Sequence, residues 1–324
     1  LGTHDDLHVV ALYLSDGETE AALLTVDLLA ADSAGVARIR EAASRASGVL
    51  PEKIMVAFSH THGAPHTLLY GMESDDPLVV TYTDMVVYKL AGALAEAKRA
   101  ATPVRIGYGR QSCTVGVNRR EMRADGKVVL GVNREGPTRP WADVIRFDAE
   151  GAARPLAVLC SYAAHGATLS GDNLFYTADY MGYAKATIEQ LLPGATALFA
   201  AGCCGDINPY PRRTFASCTD NGLRVGCAAT QAALAIESLQ EVHRLVVAQR
   251  AFEWRVQDPP PLGEARATLA VLEESAAAEL AKARQAANDP ALDEKHGIEF
   301  WTFRRLKHAR QLVAGLEAGT LDLA

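Results

Sequence analysis

Apolar runs broken by glycine, aspartate and proline divide the chain into short segments. Residues 7–14 and 20–28 are two such runs, joined by Ser15-Asp16-Gly17. Asp-Gly between them predicts a β-hairpin. In 33–48, Val36, Ile39 and Ala43 recur at helical spacing, and Ser33 stands where a cap is needed. Residues 53–58 form a short apolar strand that runs straight into Ser59-His60-Thr61-His62. Pro77 opens a helix to about residue 101, with Met85, Val86, Leu90 and Leu94 on one face.

The middle of the chain reads as strands at 104–108, 113–117, 127–132 and 144–147. The nearly continuous apolar run 155–164 predicts a buried strand ending at His165. A helix over 177–192 follows, then a buried strand over 195–201. That strand empties into Gly202-Cys203-Cys204-Gly205-Asp206-Ile207-Asn208-Pro209. A helix over 221–239 and a long strand over 243–256 complete this part. The alternation predicts an α/β fold, with a mixed β-sheet core and flanking helices. After Pro259-Pro260-Pro261, two Ala-, Leu-, Glu- and Arg-rich helices, 264–287 and 293–317, break at Asn288-Asp289-Pro290. They predict a C-terminal helical hairpin packed on the core. The expected division is therefore 1–258 for the core and 259–324 for the hairpin.

Composition narrows the function classes. With 49% hydrophobic and 22% charged residues, the chain has the balance of a globular protein. It has no uninterrupted apolar run of eighteen, so no transmembrane segment is expected. The net charge of −7 argues against a nucleic-acid partner. Six cysteines without a CxxC pair read as isolated thiols, and adjacent Cys203 and Cys204 are too strained to bridge each other. The chain opens at Leu1 without a signal-peptide pattern, which suggests that sequence at the front is missing. Localisation, cytoplasmic or secreted, and oligomeric state are left open.

Four segments carry candidate chemistry. In Ser59-His60-Thr61-His62, residues i and i+2 at a strand end project to one side, about 7 Å apart, so two imidazoles can face one point. Neutral imidazole is a common zinc ligand. His165 repeats the pattern at the end of a second strand, where α/β ligand sets gather. The turn Gly205-Asp206-Ile207-Asn208 brings a carboxylate and backbone amides to the same edge. A fourth segment, Val117-Asn118-Arg119-Arg120, offers an arginine fork for a carboxylate or an oxyanion. Asp27, at the end of its strand, is a candidate to orient a ligand histidine.

In this order, these segments resemble the neutral/alkaline non-lysosomal ceramidase family. Ser59-His60-Thr61-His62-Gly63-Ala64-Pro65 is similar to its Ser/Thr-His-Thr-His-Ser-Gly-Pro segment, and Asn118-Arg119 to its Asn-Arg pair. His165 with Ser170-Gly171-Asp172-Asn173 and Gly182-Tyr183-Ala184 follows the same pattern. Gly205-Asp206-Ile207-Asn208-Pro209-Tyr210 matches a Gly-Asp-Val-Ser-Pro-Asn loop, and Gly2-Thr3-His4-Asp5-Asp6-Leu7 an early Gly-x-His-Asp-Pro-Leu.

The resemblance implies Zn²⁺ held by His60 and His165, with His62 beside the metal-bound water as a base or orienter. It implies Arg119 facing the polar end of a lipid amide such as ceramide. Three departures stand out. The family's loop serine falls at Asn208, whose amide cannot act as a nucleophile. No Pro-Gly-Glu segment is present to complete the metal site, so the sequence is expected to stop short of it. No immunoglobulin-like C-terminal domain is present. Catalytic roles are expected for His62, Arg119, Asp206 and Asn208, and metal binding for His60, His62 and His165.

The working expectation is a zinc-dependent hydrolase acting on a small-molecule or lipid amide. A non-catalytic binding protein on the same fold, or a metal-dependent esterase or amidase with a non-lipid substrate, is the alternative. A metallo-β-lactamase-type site is disfavoured, because Ala64 and Pro65 stand where Asp and His are needed. A cysteine nucleophile at Cys203 or Cys204 is a further rival.

Overall fold

The computed structural model describes residues 2–70, 74–169, 171–241, 244–250 and 257–320. They fall into two units, Leu1–Gln249 and Arg250–Ala324.

In the first unit, β1 (Gly2–Thr3) pairs in parallel with β10 (Phe175–Tyr176). The predicted hairpin forms from β2 (Val9–Ser15) and β3 (Glu20–Val26), and β4 (Ile54–Phe58) adds in parallel to β3. Helices α1 (Ser33–Ser47) and α2 (Pro77–Arg99) are the connections around β4. The cap of α1 is Asp32, not Ser33: its carboxylate accepts from Gly35 N at 2.8 Å.

A second sheet runs in the order β11 (Thr196–Ala201), β9 (Ala157–Tyr162), β8 (Trp141–Ala149), β5 (Val104–Ser112). Strands β9 and β11 are parallel and the others antiparallel, so both sheets are mixed. Helices α3 (Asp179–Leu191) and α4 (Phe215–Leu234) belong to this half. A third small sheet is β12 (Ile207–Pro209), β6 (Gly116–Met122) and β7 (Val128–Asn133).

The period-2 pattern shows how these parts stack. Along β2, Val9, Ala11 and Tyr13 pack with Ile39, Val86, Leu90 and Leu94 of α1 and α2. The alternate residues Val10, Leu12 and Leu14 pack with Ile145, Phe147, Leu159 and Leu198 of the second sheet. On that sheet's other face, Val144, Val158, Cys160 and Phe199 meet Tyr180, Ile188, Val225 and Ala229 of α3 and α4. The order is helices, sheet, sheet, helices. The two stacked sheets are apolar on both faces because each face has a cover.

Several expected boundaries shift. The strand expected at 113–117 lies at β6, because Asn118 and Arg119 are held there by polar contacts that no apolar pattern reveals. Helix α4 starts six residues early, where the Thr214 hydroxyl accepts from Ser217 N. The strand expected over 243–256 is not formed at 244–250, and its remainder lies outside the described residues. Helix α2 is, by length and composition alone, apolar enough to cross a membrane, although Val86, Val87, Leu90 and Leu94 are buried in the core.

The second unit contains α5 (Leu262–Ala287), the short α6 (Glu294–Gly297) and α7 (Phe300–Ala318). Asn288 ends α5 in the left-handed region at φ 52°. Ala276, Ile298 and Leu306 form its core with Leu269, Leu272 and Phe303.

Candidate metal centre

Strands β3, β4, β9 and β11 all end at one edge, and the functional segments follow them. After β4, Ser59 N donates to Val26 O and His60 N to Leu28 O. His60 then turns out of the extended conformation, with φ 62°. A non-glycine residue in this region carries about 1–3 kcal/mol of strain, a cost found at sites that need one particular side-chain direction. The two histidines therefore converge through a turn rather than by projecting from one straight strand. Beyond it, Thr61 bridges to Gly166, and His62 N donates to Gly166 O at 2.9 Å. This crossing needs glycine: a Cβ at Gly166 would lie 2.3 Å from the His60 carbonyl oxygen.

The crossing brings His60, His62 and His165 together, with one ring nitrogen of each within 4.8 Å of the others. His60 Nδ1 lies 2.7 Å from Leu29 O, and His165 Nδ1 lies 3.1 Å from Cys204 O. A carbonyl only accepts, so both Nδ1 atoms carry the proton. With both rings in the neutral form that a metal ligand takes, both Nε2 atoms present lone pairs, and they face each other at 3.0 Å. Two bare lone pairs at that distance repel. A cation between them removes the repulsion: zinc bonded to two imidazoles at 2.0–2.1 Å in tetrahedral geometry sets the nitrogens about 3.3 Å apart. Carbonyls fixing the ligand tautomer are the usual support for such a site. The donor set thus fits a divalent metal.

Burial, foremost, holds the His165 imidazole down to about 4, with Arg119 and the neighbouring histidines adding to the effect against the Cys204 carbonyl. His62 is likewise lowered to about 4, first by burial and then by the charges of His60, Arg119 and Arg212. His62 is the exposed member of the three and solvent screens it, so His165 carries the stronger case. Both rings are neutral near pH 7, the state a metal ligand requires.

The structure places the other expected residues around this centre. Arg119 Nε and Nη2 donate to Gly205 O at 3.0 and 2.6 Å, and Nη1 donates to Asn208 Oδ1 at 3.3 Å. Arg119 thus braces the loop after β11. Asp206 is tied to β6: its carboxylate accepts from Asn118 Nδ2 at 3.3 Å, and its carbonyl from Arg119 N. The guanidinium has only donors, so it fixes the Asn208 amide with its nitrogen the other way. That Nδ2 is buried and unpartnered, as is Ser59 Oγ beside His60. Asp27 engages Lys185 and His8 rather than a histidine of this cluster. It accepts from Lys185 Nζ at 2.6 Å and His8 N at 2.9 Å. All six cysteines are unpaired, and burial raises the Cys204 thiol, which disfavours a thiolate nucleophile there.

Two contributors went unseen in the sequence. Arg212 adds positive charge near His62 and donates from Nε to Ala167 O at 2.9 Å. The Pro211-Arg212-Arg213 run just past the loop was its only signal. Buried Asp179, at φ 53°, accepts from Thr168 N, Leu169 N and Tyr180 N and so holds the turn after Gly166. Nothing in its sequence context marks it. Asp5 similarly accepts from Ala178 N at 2.7 Å ahead of α3.

No protein-family model matches the sequence, and a search of curated proteins finds no match. Solved structures do match. The neutral ceramidase from Pseudomonas aeruginosa aligns with a TM-score of 0.56 and 18% identity, over 69% of this chain and 38% of that one. A ceramidase complexed with C2 aligns with a TM-score of 0.58 and 19% identity, over 74% and 40%. The fold is ceramidase-like. The chain spans about two fifths of the length of these ceramidases. At this identity the likeness establishes the ceramidase-like fold alone.

Proposed function

We propose that this protein is a zinc-dependent amidohydrolase. The observation that carries the reading is the pair of Nε2 atoms on His60 and His165, facing each other at 3.0 Å while each Nδ1 is held by a backbone carbonyl. His60 and His165 would hold the ion, with His62 as the third nitrogen within reach. Such an ion supplies Lewis acidity, which activates water and polarises a scissile carbonyl.

The chain's own residues supply the rest. His62, neutral near pH 7, accepts a proton as a general base. Arg119 fixes the Asn208 amide so that its unpartnered Nδ2 donates to substrate; the side chain that replaces a serine then acts as an oxyanion or carbonyl donor, not as a nucleophile. Asp206 positions Asn118 and, through its carbonyl, Arg119. The substrate class is an N-acyl amide, and the ceramidase-like fold supports a lipid amide within it.

A second reading, a metal-binding protein without turnover, takes its support from Asn208 in the serine position. Zinc-loaded protein assayed against short-chain N-acyl amides separates the two. Hydrolysis that a chelator abolishes and zinc restores supports the enzyme. Zinc binding without turnover of amides or esters supports the binding protein.

A further inference from the structure

The strand that carries Arg119 continues into an exposed hairpin, β6 and β7, at the edge of the third sheet. Cross-strand pairs set its faces: Arg120 opposes Leu130, and Met122 opposes Val128. Paired residues, and residues two apart on one strand, share a face. Met122, Val128 and Leu130 therefore share one face as an apolar stripe, and the register shift between Asn118 and Arg120 ends the alternation before Val132. These three are 71%, 55% and 64% exposed. On the opposite face Glu121, paired with Val129, accepts from Val132 N, so the polar and apolar faces of the hairpin are distinct.

The charge around the stripe points to what covers it. Residues 119–135 hold five basic and three acidic side chains, a net of +2 in a chain of net −7. Arg120, Arg123, Lys127 and Arg134 are exposed. Lys127 lies 3.8 Å from Asp125, and Arg134 stacks over Tyr210 with 4.9 Å to the ring centre. Apolar side chains rimmed by cations match the acyl boundary and anionic headgroups of a bilayer. A second copy of this chain fits less well, since two such hairpins would bring like charges together.

We propose that the β6–β7 hairpin is a docking surface for an anionic lipid bilayer. Its apolar stripe enters the headgroup–acyl boundary while Arg120, Arg123 and Lys127 meet acidic headgroups. This surface stands apart from the proposed reaction, and its test requires no turnover.

The test is vesicle co-sedimentation with the full chain. Phosphatidylcholine vesicles containing about a third phosphatidylserine are compared with pure phosphatidylcholine. Binding is expected to the first at low salt, weakening as salt rises. Each cation near the surface is worth about fivefold, so R123Q/K127Q should weaken binding about 25-fold. M122T/L130T keeps strand-compatible residues on an exposed face, so it folds, as circular dichroism checks. It should lose about tenfold or more. Equal binding to both vesicle types, or unchanged binding by both variants, overturns the proposal. So does a dimeric wild type that becomes monomeric in M122T/L130T, which would assign the stripe to a second copy.

Discussion

Lys185 Nζ lies 2.6 Å from Asp27 Oδ2, and both side chains are buried, at 9% and 2% exposure. The pair joins the end of β3 to α3, two residues before the Leu29 carbonyl that orients His60. Removing one partner leaves the other charge buried and uncompensated, at a cost of about 3–5 kcal/mol. Asp27→Ala and Lys185→Met should each lose stability of that order in urea unfolding. The double variant Asp27→Leu/Lys185→Met should recover most of it. Equal losses in the single and double variants would show that the pair is not the stabilising unit.

Gly166 is the point where the His60 and His165 segments cross. A Cβ there would meet His60 O at 2.3 Å and His60 C at 2.6 Å, both backbone atoms that cannot swing aside. Gly166→Ala should cost about 1–3 kcal/mol. It should also weaken metal binding, because the displaced backbone is that of a ligand. Gly171→Ala has open space around it and should stay within about 0.5 kcal/mol. Isothermal titration with zinc and denaturant unfolding of both variants make the comparison.

The pH response follows from the depressed histidines. His62 and His165 titrate near 4 when folded, against 6.5 for the free side chain. Between those values the unfolded chain binds more protons than the folded one. Stability from this source is therefore complete above about pH 6.5 and is lost as pH falls toward 4. The metal-free protein should show a falling Tm across that window. His165→Gln should flatten the slope, while an unchanged slope would assign the acid sensitivity to other groups.

The ceramidase-like α/β fold and the three-histidine cluster were legible because both rest on strong local signals. Apolar runs joined by Asp16-Gly17 mark β2 and β3, and two further apolar runs lead into His60 and His165. What escaped depends on backbone geometry or distant polar contacts. The φ 62° turn at His60 leaves no pattern, and neither does the αL Asp179. Asp27 looked like a ligand orienter because it ends a strand, but its partner Lys185 is 158 residues away. The stacking of two sheets was hidden too: β2 is apolar on both faces, and only the packed structure shows that each face has its own cover.

Zinc content of the purified, zinc-reconstituted protein, measured by elemental analysis after dialysis, addresses the central claim most directly. The account predicts close to one zinc per chain in the wild type and loss of that zinc in both His60→Ala and His165→Ala. Full zinc retention by either variant would contradict it.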